Sequence, residues 1–312
     1  MDRIDKRLLA LLLEDSRTPM SMLARRLRVS REVVQYRIER LRQQGIIRSF
    51  FADIDLSRFG YIGAAFFLVI KAARHDEMRS YLEHVHYISW AAEWSGNYSI
   101  GMTIVGKSLE EIDRRVQSIL SRFNDVIIAH QFILHRQNHF FYEKYVGERV
   151  VPIPKKRLIP HKLSDADYVI LKRLSENSRT SAVDLAQSLK MSGVAIAKRI
   201  RKLEDAGYIR GYSIFIDITK LKLYQYSIFI DNRELQDLNL LKAYLAVHPA
   251  VNFIAEYVGD QFFEFGVFVN EPYALKPILL SIEQKFPQYT FTTIALLQRE
   301  FISTAPPRCV FE

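Results

Sequence analysis

Side chains that suit the edges of DNA bases are concentrated between residues 31 and 40. Arginine donates two hydrogen bonds to guanine, glutamine pairs with adenine, and glutamate accepts a hydrogen bond from cytosine. These residue types on one side of a helix predict contact with base edges, and a scaffold helix with a solvated charged face is the alternative. The candidate DNA-contacting residues are Arg31, Glu32, Gln35, Tyr36, Arg37 and Arg40.

Side chains suited to catalysis or metal binding are sparse. His135 and His139 lie at a spacing that could place them on one face of a strand and hold a metal, but half-exposed sheet positions are the expectation for such a pair. Cys309 is the only cysteine, which excludes disulfide frameworks and cysteine metal sites. The sequence has no glycine-rich phosphate loop and no nucleophile elbow. We therefore predict no catalytic residue, no metal site and no cofactor.

The basic excess of the chain lies in its first half. Residues 1–162 contain 27 Lys and Arg against 18 Asp and Glu, whereas residues 163–312 contain 17 of each, so the first half carries the whole net charge of +9. This imbalance indicates a polyanionic partner, nucleic acid before membrane, and a solvated basic surface is the alternative. No apolar run approaches the ~20 residues that cross a bilayer, and the N-terminus is unlike a signal peptide. We expect a cytoplasmic protein that binds double-stranded DNA.

The chain contains two copies of one unit. A shift of 162 positions aligns residues 1–55 with residues 163–217 without a gap, and 19 of the 55 positions are identical. The run Ser16-Arg17-Thr18 recurs as Ser178-Arg179-Thr180. The likeness continues more weakly at a shift of 163, and a proline-containing basic stretch between the copies predicts an exposed linker.

The first part of each copy has the pattern of three helices. Apolar residues recur at helical spacing after Asp2, and two further segments open at Thr18-Pro19 and at Ser30. The third segment ends at Gly45, because glycine readily adopts the left-handed conformation that terminates a helix. The second copy repeats these signals at Thr180, Ser192 and Gly207. Two short capped helices, the second longer and basic, predict a helix-turn-helix whose second helix enters the major groove.

The second part of each copy has the order β-α-β-β-α-β, the split βαβ unit. The first copy predicts strands near 62–71, 87–95, 98–105 and 126–141 and helices near 76–85 and 109–123. The second copy predicts strands near 224–232, 250–258, 262–270 and 289–302 and helices near 235–247 and 272–286. Two helices cover one face of each sheet, and the other face is apolar. We expect it to pair with a second sheet, in the same chain or in another.

The capped motif Ser30, Val34, Arg37-Ile38, Leu41 and Gly45-Ile46-Ile47, followed by a strand and a βαββαβ module, resembles the Lrp/AsnC (feast/famine) transcriptional regulators. The resemblance covers nearly the whole chain twice and implies two fused protomers. The fold class is therefore α+β, a tandem duplication of a helix-turn-helix (winged-helix-like) domain and a βαββαβ ferredoxin-like (RAM) domain. The expected domains are the two helix-turn-helix domains (1–50 and 163–212), the two βαββαβ domains (57–146 and 219–304) and a linker (147–162).

The resemblance also implies operator binding, pairing of βαββαβ modules into a homo-oligomer, and an amino-acid effector. Effector-responsive members of the family have a G-x-x-D loop between the second and third strands. This chain has serine or phenylalanine in place of that aspartate, which counts against leucine-type sensing, although Asp260 could substitute. The candidate effector residues are Gly96, Asn97, Tyr98, Ser99, Gly259 and Asp260.

Two other functions stay open. Siroheme decarboxylases resemble the same tandem architecture, but their cluster of His, Tyr and Arg around the second and third strands is incomplete here, since both copies lack His and Arg in that stretch. The other alternative is an assembly adaptor in which neither second helix contacts DNA. We predict that the chain is not an enzyme.

The two predicted DNA-contacting helices differ in residue type. Where the first copy has Arg31, Glu32, Val33, Gln35 and Tyr36, the second has Gly193, Val194, Ala195, Ala197 and Lys198. The second helix keeps basic residues suited to phosphates, and phosphate contacts position a protein without specifying sequence. Its candidate DNA contacts are Lys198, Arg199 and Lys202. We predict a sequence-specific first helix and a less specific second helix, and contact through backbone groups or thymine methyls is the alternative for the second.

Overall fold

The computed structural model describes residues 1–147, 159–231, 237–259, 262–304 and 306–312. The chain forms two compact units, each made from both halves of the sequence. We call the first the helix-turn-helix unit; it comprises Met1–Gly60, Val146–Lys220 and Arg308–Glu312. We call the second the sheet unit; it comprises Tyr61–Tyr145 and Leu221–Pro307.

Helices and strands follow the predicted order. The helices are α1 (Arg3–Glu14), α2 (Met20–Leu27), α3 (Arg31–Gln43), α4 (His75–His84), α5 (Leu109–Arg122), α6 (Asp165–Glu176), α7 (Ala182–Leu189), α8 (Gly193–Asp205), α9 (Asn239–Val247) and α10 (Leu275–Lys285). The strands are β1 (Ile47–Ile54), β2 (Ile62–Ile70), β3 (Ile88–Gly96), β4 (Ile100–Gly106), β5 (Ile127–Phe140), β6 (Ile209–Ile216), β7 (Tyr224–Asp231), β8 (Val251–Tyr257), β9 (Phe262–Val269) and β10 (Phe291–Ser303).

Most helix ends lie where the sequence signals place them. Asp2 and Asp5 form a capping box at the start of α1, and the Ser30 hydroxyl accepts a hydrogen bond from the backbone N–H of Val33. Gly45 has φ +71°, the left-handed conformation that ends a helix.

Two predicted caps are wrong by one residue. In the first copy Pro19, and not Thr18, is the N-cap of α2, and no side chain caps that end. In the second copy the cap of α7 is Ser181, and not Thr180. The physical reason at Ser181 is a capping box, because its hydroxyl and backbone both bond to Asp184, three residues on.

In the helix-turn-helix unit the two copies exchange strands. Strands β1 and β6 pair antiparallel, and Ala52 and Ile54 of β1 lie in the hydrophobic core of the second copy. Strand β6 in turn contacts α1 of the first copy, where the Ser213 hydroxyl donates to the backbone carbonyl of Leu13. Neither three-helix module therefore completes its core with its own strand alone.

The repeated Ser-Arg-Thr run lies at the contact between these copies. The hydroxyls of Ser16 and Ser178 are 2.6 Å apart and both residues are fully buried. The Arg17 guanidinium donates to the carbonyl of Ser178, and Arg179 donates to the carbonyl of Thr18. Ser16 and Ser178 are equivalent positions, and Arg17 also donates to the carbonyl of Thr180, the counterpart of the bond from Arg179 to Thr18, so the unit is organised about a pseudo-twofold axis.

In the sheet unit the eight strands form one closed sheet in the order β10-β3-β4-β2-β5-β8-β9-β7. The long strand β5 pairs with β2 of its own module and with β8 of the other module. Likewise β10 pairs with β7 of its own module and with β3 of the other. The two modules thus pair within the chain, through hydrogen-bonded edges as well as through the apolar faces that the sequence predicted.

Among the described residues, the sheet unit has two apolar cores between helices and sheet and one inside the closed sheet. In the first module Met78, Leu82, Ile112, Val116 and Ile119 of α4 and α5 pack on the outer face of the closed sheet. Helices α9 and α10 cover the second module in the same way. Aromatic side chains fill the space inside the closed sheet, where Phe67, Trp94 and Phe229 pack together.

Candidate nucleic-acid interface

Helix α3 presents a polar face to solvent. Its apolar stripe, Val34, Ile38 and Leu41, is buried in the module, as its helical spacing predicts. The first two turns of the helix expose the opposite side chains, and Tyr36 is 65% exposed. The exposed side chains on this face are Arg31, Glu32, Val33, Gln35 and Tyr36. A hydrogen bond from the Ser30 hydroxyl lowers the pKa of Glu32, so this carboxylate is an acceptor at neutral pH.

Two of the predicted DNA-contacting arginines bind acidic residues of their own module. Arg37 Nη1 lies 2.7 Å from both Asp2 Oδ2 and Asp5 Oδ1. Arg40 Nη2 lies 2.7 Å and 2.6 Å from the two oxygens of Asp5. Asp5 is 1% exposed, so these charge-assisted hydrogen bonds fasten α3 to the start of α1. The Arg40 guanidinium also lies over the ring of Tyr36.

Helix α8 repeats this attachment and presents a different outer face. Arg199 Nη1 lies 3.0 Å from the Ser164 hydroxyl and 3.0 Å from Asp167 Oδ1, at the position equivalent to Arg37. Asp167 is fully buried, and hydrogen bonds from Ser164, Arg199 and His161 outweigh burial and lower its pKa. Outward, Lys198 and Lys202 are exposed and Val194 is 68% exposed.

The predicted effector loop between β3 and β4 is occupied by internal contacts. The Ser99 hydroxyl accepts a hydrogen bond from the backbone N–H of Ile70, and the Tyr98 hydroxyl donates to Gln131. Gly96 has φ +115°, and a Cβ there would lie 2.6 Å from the carbonyl oxygen of Ile294. Asn97 is exposed. In the second copy Gly259 has φ +91°, while Asp260 lies outside the described residues.

A buried carboxyl inside the closed sheet was missed by the sequence analysis. The Tyr257 hydroxyl donates to Glu264 Oε2 at 2.5 Å, and Glu264 is 5% exposed. Burial raises the pKa of Glu264 to about 7. A single acidic residue within the apolar stretch FFEFGVFV was the available signal.

His135 has the intermediate exposure that was expected of it. Both of its ring nitrogens are buried, and the ring stacks on that of Tyr257 at 5.2 Å between centroids. Burial lowers the pKa of His135 to about 4. His139 instead lies 3.3 Å from Glu256, whose carboxylate also binds Arg136 and Lys242. The alternative of a metal shared by these two rings is not favoured, because His135 stacks on Tyr257 and His139 lies against Glu256.

Comparisons with known proteins concern both copies. An AsnC-type helix-turn-helix domain model matches residues 1–42, and a winged helix-turn-helix DNA-binding model matches residues 163–210. The HTH-type transcriptional regulator FL11 of Pyrococcus horikoshii is 32% identical over 114 residues, which are 36% of this chain and 76% of that protein. Regulatory protein AsnC of Haemophilus influenzae is 30% identical over 114 residues, again 36% of this chain and 76% of that protein.

The whole chain is similar in fold to the siroheme decarboxylase NirDL. The match has a TM-score of 0.63 and 15% identity, and it covers 97% of this chain and 93% of that one. At this identity the likeness shows the tandem fold alone. No helix among the described residues is long and apolar enough to cross a membrane. With matching helix-turn-helix models in both copies and relatives at 30–32% identity over three quarters of their length, this chain belongs to the Lrp/AsnC family of helix-turn-helix transcriptional regulators.

Proposed function

We propose that this chain is a sequence-specific DNA-binding transcriptional regulator in which one polypeptide supplies both helix-turn-helix modules of a dimer. The observation that carries the proposal is the pseudo-twofold helix-turn-helix unit, in which strand exchange and the Ser16–Ser178 contact join the two modules. A twofold pair of helix-turn-helix modules suits a DNA site with two half-sites about one helical turn apart.

Base recognition is assigned to the outer face of α3. Arg31, Glu32 and Gln35 are exposed at its N-terminal end, the part of such a helix that meets base edges. Arg37 is a weaker candidate than its residue type suggested, because its guanidinium bonds to Asp2 and Asp5. Arg40 is likewise bonded to Asp5. Tyr36 and the residues of the first turn therefore supply most of the polar groups that this face offers to a base.

Phosphate contact is assigned to α8. Lys198 and Lys202 are exposed one turn apart and carry point charges suited to phosphate oxygens. Arg199 is held by Asp167 and Ser164 and therefore belongs to the scaffold in this proposal. The small residues at the start of α8 offer no side-chain donor or acceptor to a base.

Effector binding and assembly complete the proposal. A small-molecule effector such as an amino acid is assigned to the loop at residues 96–99 and to Gly259, with exposed Asn97 as its most accessible polar group. We also propose that the 36.5 kDa chains associate into a homo-oligomer. A thermal-shift screen of amino acids tests the first statement, and light scattering that finds a strict monomer contradicts the second.

A binding-site selection from random duplexes with the full chain tests the central proposal. We expect enrichment of sites with one well-defined half and one degenerate half, and a logarithm of affinity that falls linearly with the logarithm of salt concentration. The absence of binding to any duplex contradicts it. The enzyme alternative rests on fold likeness to NirDL, and incubation with siroheme followed by mass spectrometry tests it, since decarboxylation removes CO₂ and lowers the product mass.

A further inference from the structure

Two cations of the helix-turn-helix unit occupy a backbone conformation that favours glycine. Arg28 ends α2 with φ 57° and ψ 46°, and Lys190 ends α7 with φ 52° and ψ 43°. Both are therefore in the left-handed helical region, where a side chain other than glycine or asparagine is strained. Elsewhere the helix-turn-helix unit uses glycine for this conformation, at Gly45 and Gly207. The two residues are 162 positions apart, so each copy has a strained cation at the same place.

Neither cation has an internal task that the structure shows. Arg28 and Lys190 are exposed, and within the described ranges neither side chain has an ion pair or hydrogen bond. This distinguishes them from Arg37 and Arg199, which bind buried carboxylates. Each backbone N–H does bond to the carbonyls at the end of the preceding helix, but glycine would make the same bonds.

Both residues lie next to the start of the helix that is predicted to enter the major groove. Arg28 comes two residues before Ser30, the N-cap of α3, and Lys190 comes two residues before Ser192, the N-cap of α8. When the N-terminal end of such a helix enters the major groove, the turn that precedes it approaches the sugar-phosphate wall of that groove. A cation fixed in that turn can reach a phosphate oxygen without obstructing the helix.

We propose that Arg28 and Lys190 are matched phosphate anchors, one at the helix-turn-helix turn of each copy. This inference rests on the proposed DNA-binding function and adds two contacts to it. The anchors are equal in the two copies, whereas the outer faces of α3 and α8 are unequal. They therefore set the depth and orientation of both helices and carry no base preference.

A purely structural role predicts a different outcome. A cation at a helix C-terminus interacts favourably with the helix dipole, and if this were its whole purpose, its loss would lower stability and leave DNA affinity unchanged. A phosphate anchor predicts the reverse. Replacing it by glycine removes the strained conformation, so the thermal unfolding midpoint stays equal or rises, while DNA binding weakens.

The test uses the full chain and a duplex enriched by selection. For Arg28→Gly and Lys190→Gly we expect the same fold-loss of affinity on specific and nonspecific duplexes, and a salt slope less steep by about 0.9 for each variant and about 1.8 for the double variant. Arg28→Lys keeps the charge and should keep the slope. Lys222→Gly is the matched control, because Lys222 is an exposed left-handed cation with φ 58° at the position where the first copy has Gly60.

The outcomes separate this inference from the function beneath it. Loss of affinity and slope without loss of the unfolding midpoint, with Lys222→Gly binding normally, supports the anchors. If both glycine variants bind DNA as tightly as the wild type does, the anchors are overturned and the proposed function stays intact. A wild-type chain that binds no duplex overturns both.

Discussion

The two helix-turn-helix modules agree in their buried contacts and differ in what they turn toward solvent. Ser16 and Ser178 meet across the pseudo-twofold axis, and Arg37 and Arg199 hold equivalent buried aspartates. The exposed first turns of α3 and α8 share no residue. In a fused chain the contact between copies must fit on both sides, whereas each outer face meets its own part of the ligand and is free to diverge.

Strand exchange determines how this difference can be tested. Because Ala52 and Ile54 of β1 complete the core of the second copy, excising residues 1–55 or 163–217 would remove part of a core along with the helix of interest. Substitutions in the full chain are therefore the appropriate comparison. Substitutions at equivalent buried positions of the two copies should lower the free energy of unfolding equally. Substitutions at equivalent exposed positions of α3 and α8 should have unequal effects on DNA binding.

The largest expected effects on stability come from the two buried aspartates, Asp5 and Asp167. Asp5→Ala removes the carboxylate that Arg40 binds and leaves Arg37 with Asp2 alone, and Asp167→Ala removes the carboxylate that Arg199 binds. Removing one partner of a buried ion pair costs about 3–5 kcal/mol, and the partly exposed arginines place these sites at the lower end of that range. Denaturant unfolding followed by circular dichroism should show similar losses for the two variants.

Glu39→Ala is the control for this pair. Glu39 is exposed and, within the part of the chain that the structure describes, is paired with Arg42 alone at 3.5 Å, so its loss should change stability by less than about 0.5 kcal/mol. A large loss from Asp5→Ala with a negligible one from Asp167→Ala would show that the two scaffolds are not equivalent.

The two βαββαβ modules differ inside the closed sheet, and this difference predicts a pH effect. Gly101 in the first module corresponds to Glu264 in the second. The folded-state pKa of Glu264 is about 7, above the ordinary value of 4.5, so its contribution to stability is present below pH 4.5 and is lost as pH rises to about 7. Relative to wild type, Glu264→Gln should therefore gain about 3 kcal/mol between these pH values.

The contribution of His135 to stability should change with pH in the opposite direction. Its folded-state pKa is about 4, below the ordinary 6.5, so its contribution is present above pH 6.5 and is lost as pH falls toward 4. Between pH 4.5 and 6.5 the contributions of Glu264 and His135 to wild-type stability change in opposite directions and nearly cancel. Each single variant should therefore show the pH dependence of stability that the remaining group causes. Unfolding free energies of wild type, Glu264→Gln and His135→Gln across this range check the prediction, and parallel curves would contradict it.

Substitutions on the outer face of α3 should weaken binding to the selected site more than binding to unrelated duplexes. Arg31→Ala and Gln35→Ala should each lose about 1–3 kcal/mol on the selected site and much less on unrelated duplexes, because a contact with a base edge is removed. Competition binding with single-base variants of the site measures this difference. An equal loss on all sequences would place these side chains on phosphates.

Lys198→Ala is expected to have the smallest effect. It should weaken binding to every duplex alike and make the salt slope less steep by about 0.9, the value of one phosphate. Salt titrations on specific and nonspecific duplexes measure both quantities. A sequence-dependent loss at Lys198 would show that α8 contributes to base recognition and would remove the proposed asymmetry between the copies.

Local signals in the sequence determined the elements of this protein. Helix periodicity placed Val34, Ile38 and Leu41 on the buried side of α3, and cap chemistry placed its start at Ser30. The two alignments of the chain with itself established the duplication, and the family followed from the capped motif. The helices, the caps and the motif depend on residues within a few positions of one another, and the duplication depends on a comparison of the sequence with itself, so all of them are visible in one sequence.

Contacts between distant residues were decided by the tertiary structure. The Ser-Arg-Thr run was visible as a repeat, but its burial at Ser16 and Ser178 depends on a meeting of residues 162 positions apart. Arg37 had the residue type of a DNA contact, and only the fold brought Asp5 within 2.7 Å of it. The closed sheet likewise depends on β5 pairing with β8, and the buried state of Glu264 follows from that closure. Residue type and periodicity describe which face of an element is apolar, but the element that covers this face is chosen by packing and hydrogen bonding across the whole chain.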